Sequence, residues 1–423
     1  MQETSYSFNG VNIYALPNPN LRSFCLSLYI RAGSFYETDK NNGIGHLFEH
    51  VVFRNIKRKH PNFYEESALH GVDLQARTYK EFIQFELNGP SAEFEFAADI
   101  LFNIFDEIEL DRTELDKEKK RVKAEIREGD ERSSIYYFFN QLVWKGTEAE
   151  KSVLGYCRIL DSVSVKKLNE YRKECFSKNN FFIYITGNFS DKDIEILKIK
   201  TETLDLPQNE IKRSNTVTLN NDFFNRRIKI NIKNDTWYYI SAGFDFDNTK
   251  YPQGVIDILY GVLFNCDKAL MYKYLSEDNP VIYSYDSTQE QYDNVGNIYF
   301  KFEVDKTCIE EAIAVVVEML NDVKVGKFNF EATLCSEKYH IETELDSPSD
   351  LNWSLAYYNH ILKANSDDPC DKLHTRFESV TKEQVAEAAK DIFCTKNLTV
   401  AIKGKKKNIK TENIEEILKK LDC

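Results

Sequence analysis

Residues 162–187, SVSVKKLNEYRKECFSKNNFFIYITG, run in register with residues 379–404, SVTKEQVAEAAKDIFCTKNLTVAIKG, at a constant offset of 379 − 162 = 217 and without a gap. Ser162, Val163, Glu170, Lys173, Phe176, Asn180, Ile185 and Gly187 recur as Ser379, Val380, Glu387, Lys390, Phe393, Asn397, Ile402 and Gly404. Each copy opens on a Ser-x-Ser or Ser-x-Thr cap, continues with the spacing of an amphipathic helix and ends in an alternating strand closed by glycine. A charged helix follows each, near Lys192–Lys200 and Glu412–Leu421. Any two helix–strand units look somewhat alike, but an ungapped match of this length at half the chain length points to internal duplication.

Outward from the repeat, Phe24–Ile30 and Phe82–Leu87 read as strands of the first half, with helices over 112–129 and 134–143. In the second half Ile228–Ile232, Tyr238–Phe244 and Ile298–Val304 read as strands, with helices near 253–275, 308–323 and 329–346. Consecutive strands without a crossover helix favour antiparallel pairing. The fold class is therefore α+β: two homologous domains, each a mainly antiparallel sheet packed with helices. Their expected bounds are 1–205 and 223–423, with a linker over 206–222 that overlaps the polar stretch Thr201–Asn221.

The chain has 423 residues, enough for two such cores. Its 55 basic and 68 acidic residues leave a charge of −13, without the basic footprint that nucleic acid or an anionic membrane selects. Apolar stretches such as Ala312–Val317 fall far short of the roughly 18 residues of a membrane span. The first residues, MQETSYSFNGVNIYALPNPN, carry neither a basic n-region nor an apolar h-region, so a cytoplasmic location is expected. Nine cysteines with no C-x-x-C spacing read as reduced thiols rather than disulfides or a thiolate zinc site.

Chemistry concentrates in Gly43-Ile44-Gly45-His46-Leu47-Phe48-Glu49-His50. On a helix, His46 and His50 lie about 40° apart and can present imidazoles to one ion, with Glu49 beside them. Neutral imidazoles suit Zn²⁺, and a neighbouring carboxylate can serve as general base toward water. With 7 His and 68 acids, a chance H-x-x-acid-H arises with probability of roughly 7 × (7/423) × (68/423), or about 0.02. A third ligand must come from elsewhere. Glu118 and Glu125, seven apart and about 20° from each other on one helix face, are candidates, though on pattern alone they read as solvated surface charge.

The segment GIGHLFEHVVF, preceded by RAGSFYE, resembles the signature of the pitrilysin/insulinase family of inverted-motif (HxxEH) zinc peptidases, in particular its mitochondrial-processing-peptidase-like branch. That family places a Glu about 75 residues after the motif within an E-x6-E pattern; here 125 − 50 = 75, and Glu118 to Glu125 is E-x6-E. The resemblance implies Zn²⁺ bound by His46, His50 and Glu125, Glu49 as catalytic base and Glu118 supporting the site from behind the ligands, with Glu128 as a fallback ligand. It extends to the duplication, since family members are built from two similar α+β domains. Offset by 217, the second half reads Leu263, Phe264, Asn265, Cys266 and Asp267, with no metal motif.

The resemblance further implies a zinc metalloendopeptidase that hydrolyses peptides or unfolded precursor segments. A peptide substrate would add to a sheet edge near Gln75-Ala76-Arg77-Thr78, where Gln75 replaces the family's usual Asn. An Arg and a Tyr from a second half normally complete the site. Here Tyr283 fits the tyrosine position, but Ser276 stands where the Arg is expected, and serine lacks guanidinium's fork of donors. The resulting expectation is a heterodimer with a homologous, metal-less subunit supplying Arg and Tyr, a homodimer being second. The competing reading is a catalytically silent peptide-binding or scaffold subunit of the same architecture.

Overall fold

The structure, a computed structural model, describes residues 3–128, 134–211, 213–220, 224, 230–233, 235, 237–265, 269–362 and 375–422. Two compact units form, and neither is a continuous stretch of chain. The first comprises Met1–Asp130, Lys151–Asn215 and Thr343–Asp371; the second comprises Glu131–Glu150, Thr216–Glu342 and Lys372–Cys423.

The first unit carries a six-stranded sheet of β1 (Thr4–Phe8), β2 (Val11–Pro17), β3 (Ser23–Ile30), β4 (Asp73–Thr78), β5 (Ile83–Pro90) and β6 (Phe181–Gly187), in the order β1-β2-β6-β3-β5-β4. The second carries β7 (Ile230–Lys233), β8 (Tyr239–Phe246), β9 (Tyr285–Gln291), β10 (Gly296–Glu303) and β11 (Leu398–Lys403), in the order β7-β11-β8-β10-β9. One pair in each sheet is parallel, β2 with β6 and β7 with β11; the rest are antiparallel. Apart from β1, the two strand orders are the same.

The repeated segments occupy equivalent places. Their helices are Val165–Cys175 and Lys382–Ile392, again offset by 382 − 165 = 217. Ser164 and Thr381 cap them by accepting hydrogen bonds from Lys167 N and Gln384 N. Asn180 Nδ2 donates to Cys175 O at 2.9 Å, and Asn397 Nδ2 to Ile392 O at 3.0 Å, so the recurrent asparagine ties helix to strand identically in both copies.

Contiguous domains at 1–205 and 223–423 differ from the observed partition by two exchanged segments. Helices α1 (Ile44–Lys59), α2 (Phe63–His70), α3 (Phe94–Asn103) and α4 (Arg112–Glu128) stay with the first sheet, but α5 (Ile135–Val143) belongs to the second unit and packs on β8 and β11. Gly243 leaves room for Phe139 there: a Cβ on it would lie 2.5 Å from Phe139 Cζ. Trp144 Nε1 donates to Glu290 Oε2 at 2.8 Å. Reciprocally, the helix Pro348–Leu355 covers β3 and β6, where Asn352 Oδ1 accepts from Tyr29 Oη at 2.9 Å and Asn352 Nδ2 donates to Tyr184 O at 3.1 Å. The central strands β3 and β6 are thereby covered on both faces, which is why β6 is buried along its whole length.

The expected helix over 253–275 is a helix at Gln253–Tyr260 followed by π-helical turns over Gly261–Asn265. Cys266, Asp267, Cys370 and Cys423 lie outside the described residues. The described cysteines Cys25, Cys157, Cys175, Cys308, Cys335 and Cys394 are free thiols. Among the described residues no helix is long and apolar enough to cross a membrane.

Candidate metal centre

Helix α1 forms because Ile44, Leu47, Phe48, Val51, Val52, Asn55 and Ile56 recur at i, i+3, i+4 spacing and are buried as one stripe. Its last turn holds Lys57, Arg58 and Lys59, which suit the negative end of the helix dipole. The apolar stripe fixes the rotation of the helix, and that rotation places His46, Glu49 and His50 together along its flank. At its start, the buried Glu37 carboxylate accepts hydrogen bonds from Gly43 N and Gly45 N. Helix α4 is far more polar, yet it buries Leu115, Glu118, Lys119 and Val122 as a stripe and packs on α1. Glu125 continues the row of Glu118 one step further, toward solvent.

His46 Nε2 stands 3.6 Å from Glu125 Oε1, and His50 Nε2 stands 3.4 Å from Glu125 Oε2. Ligand atoms at tetrahedral corners with bonds of about 2.0–2.2 Å are separated by about 3.3–3.6 Å, so both distances match two donors flanking one ion better than they match hydrogen bonds. One ligand atom from each of the three residues lies within 4.8 Å of the others, the one such group among the described residues. The Nε2 edge of the buried His46 ring faces this group, while Nδ1 on the other edge is buried without a hydrogen-bond partner. The donor set of two imidazoles and a carboxylate therefore fits Zn²⁺. Glu128 is exposed and outside this group.

Glu118 is buried and held by Arg54, whose Nε donates to Oε1 at 2.8 Å, and by Arg121 at 3.3 Å from Oε2. Its Oε2 faces His50 Nδ1 at 3.9 Å. Arg54 and Glu37 are absent from the sequence-based site. Arg54 follows His50 by one helical turn and Glu37 closes the quoted RAGSFYE segment, but neither position announces its partner.

Burial lowers the His46 pKa to about 3, with the neighbouring His50 charge acting in the same direction. Burial also lowers that of His50, although Glu125 and Glu118 pull it upward. Both rings are neutral near pH 7, the form that ligates. Burial raises Glu49 to about 7, opposed by a hydrogen bond from Thr78 and assisted by Glu125. Thr78 Oγ1 donates to Glu49 Oε2 at 2.6 Å.

Thr78 ends β4, an edge strand bonded to β5 on one side only. Leu74, Ala76 and Thr78 occupy its half-buried face, whereas Gln75 is exposed on the other. There Gln75 Nε2 donates to Asp73 Oδ2 at 2.6 Å and its Oε1 accepts from Arg77 at 3.1 Å. The structure thus brings Thr78 to Glu49 and turns the Gln75 side chain to the opposite face. Ser276 and Tyr283 belong to the second unit, where Tyr283 is 94% exposed.

The profile of the insulinase peptidases (peptidase family M16) matches residues 15–157, and that of the peptidase M16 inactive domain matches residues 162–332. An uncharacterized zinc protease, YmxG of Bacillus subtilis (strain 168), is 30% identical over 195 residues, covering 44% of this chain and 47% of that protein. Mitochondrial-processing peptidase subunit beta of Rattus norvegicus is 27% identical over 166 residues (38% and 34%). Cytochrome b-c1 complex subunit 1 of Bos taurus is 25% identical over 172 residues (40% and 36%). The matched regions span less than half of each of these relatives. In fold, the chain is similar to a protease from Helicobacter pylori, with a TM-score of 0.84 over 95% of this chain and 99% of that one at 16% identity.

Proposed function

Because this chain belongs to the insulinase family of peptidases, family M16, we propose that it is a zinc-dependent metalloendopeptidase in which His46, His50 and Glu125 hold the ion. The observation that carries this reading is the meeting of those three side chains beside Glu49, itself bonded to the last residue of an open sheet edge. Zinc in such a site polarises a scissile carbonyl and lowers the pKa of water. Glu49 takes the proton of the attacking water and returns it to the leaving amine. A carboxylate with a pKa near 7 suits both transfers. Thr78 occupies Oε2, so Oε1 is the oxygen for the proton. Glu118, pinned by Arg54 and Arg121, steadies His50 from behind.

A peptide or unfolded precursor segment binds as an added strand along β4, its main chain bonding to the edge beside Ala76 and Thr78. Gln75 then acts at the outer face of that strand or not at all. Among the described residues the second half adds no ligand to this group, in keeping with the match of residues 162–332 to the inactive-domain profile. Ser276 in place of an expected Arg favours a heterodimer in which a metal-less homologue supplies Arg and Tyr. Relatives that are named as subunits support assembly of this kind. The likeness to cytochrome b-c1 subunit 1 favours a second reading, a silent peptide-binding or scaffold subunit; the intact ligand set and base weigh against it.

Metal analysis of the purified chain, followed by peptide cleavage with and without a co-purified homologue, tests the proposal. Glu49→Gln should retain stoichiometric zinc and lose at least about 100-fold in turnover. Undiminished cleavage by that variant would remove Glu49 from the mechanism, and a chain that takes up no zinc would reject the metallopeptidase reading.

A further inference from the structure

The start of α1 poses a local problem. Its N-cap is Gly43, in the left-handed region at φ 93°, which has no side chain with which to satisfy the exposed N–H groups of the first turn. The buried Glu37 meets them from outside the helix. Its Oε2 accepts from Gly43 N at 2.7 Å and from Asn42 Nδ2 at 2.9 Å, and its Oε1 accepts from Gly45 N at 2.8 Å. Asn42 Nδ2 also donates to Ser152 O at 2.9 Å, which ties the carboxylate to the loop before Gly155.

The two glycines are what let the backbone come this close. A Cβ on Gly45 would lie 2.8 Å from Ala32 O, 2.9 Å from Tyr171 Oη and 3.0 Å from Glu37 Oε1. A Cβ on Gly43 would lie 2.8 Å from Gly155 Cα. The peptide that carries Gly45 N–H therefore rests directly on the carboxylate, and the next residue is His46. A carboxylate at this end of the helix also complements its dipole.

Resting on the zinc reading above, we infer that Glu37 is a positioning residue: it fixes the first turn of α1 and thereby the direction in which His46 presents its ring to the ion. The charged, acceptor-only carboxylate is what this geometry demands. Three N–H donors converge on two oxygens, and an amide at the same place offers one acceptor oxygen and turns an NH₂ toward donors. Burial pushes the Glu37 pKa up to about 7, against which the bonds from Gly43, Gly45 and Asn42 favour the charged form.

The test compares zinc-loaded wild type with Glu37→Gln, and with Asn42→Ala as a milder variant that removes one donor and leaves the carboxylate. The readouts are competition with a chromogenic chelator for zinc and the visible spectrum of the cobalt(II)-substituted protein. The spectrum reports ligand geometry, which a merely stabilising role would not move. Glu37→Gln should weaken zinc about 10–100-fold and shift the cobalt bands, with Asn42→Ala intermediate. If Glu37→Gln fails to fold, Asn42→Ala carries the comparison. Zinc affinity and cobalt spectra unchanged in the folded variants, while wild type binds zinc, would overturn the inference and leave the metallopeptidase reading standing. Wild type without zinc would overturn both.

Discussion

Thr78→Val removes the 2.6 Å hydrogen bond to Glu49 Oε2 and retains a β-branched residue in the strand. A hydrogen bond to a charged acceptor contributes about 1.5–3 kcal/mol, and one pKa unit corresponds to about 1.36 kcal/mol. The bond favours the ionised form, so its loss moves Glu49 upward by about 1–2 units from its position near 7. The sign sets the pH dependence: a base with a higher pKa is deprotonated only at higher pH. A bound divalent ion lowers the Glu49 pKa with or without the threonine, so the effect is relative: below that pKa a one-unit rise costs about tenfold in kcat/KM, and two units above it only about a tenth. The assay is kcat/KM on a fluorogenic peptide between about pH 5.5 and 9.5, with zinc content measured alongside. A loss of equal size at every pH would refute the reasoning, because it would assign Thr78 to substrate or strand rather than to the protonation of Glu49.

Gly243→Ala should destabilise the protein by about 1–3 kcal/mol in denaturant unfolding, since the new methyl would meet Phe139 Cζ at 2.5 Å and Tyr299 Cβ at 2.7 Å. Part of that loss should return in a Phe139→Leu background, and strict additivity of the two changes would contradict the packing of α5 on β8. His46→Leu should abolish zinc binding yet leave the metal-free chain as stable or more stable by about 1–2 kcal/mol, because it exchanges a buried ring with an unpartnered nitrogen for an apolar side chain. A metal-free His46→Leu protein that melts well below metal-free wild type would show that the ring contributes packing of its own.

What could be read in the chain was what lies close together in it. His46, Glu49 and His50 were legible because helical periodicity alone places residues four apart on one face. The repeat was legible because a duplicated helix and strand keep their cap, their apolar spacing and the asparagine that joins them. Glu125 was not legible from its own surroundings, where it reads as surface charge; only the resemblance singled it out, since nothing local shows that α4 packs on α1. The contacts of Glu37 with Gly45, Arg54 with Glu118 and Thr78 with Glu49 span 8, 64 and 29 residues and depend on how separate elements meet. The exchange of α5 was hidden for the same reason. The amphipathic pattern of residues 134–143 says that one face is buried and cannot say against which of two similar sheets.

Among the described residues the candidate metal group lies in only one of the two similar copies, and what each copy buries shows what sets them apart. In the second unit the helix Gln253–Tyr260 follows β8 as α1 follows β3, and it buries Val255, Ile256, Ile258 and Leu259. Each such side chain gains about 1.5–3 kcal/mol from burial. The first copy forgoes part of that gain: it desolvates two imidazoles, holds Glu49 at a pKa of about 7 and needs Glu37, Arg54, Arg121 and Thr78 to satisfy the polar groups around them. These costs make sense only where a ligand or reaction offsets them. Both copies keep a sheet edge in the same place, β4 and β9, so an unpaired edge strand is a property of the scaffold. Among the described residues the candidate ligand set comes from α1 and α4.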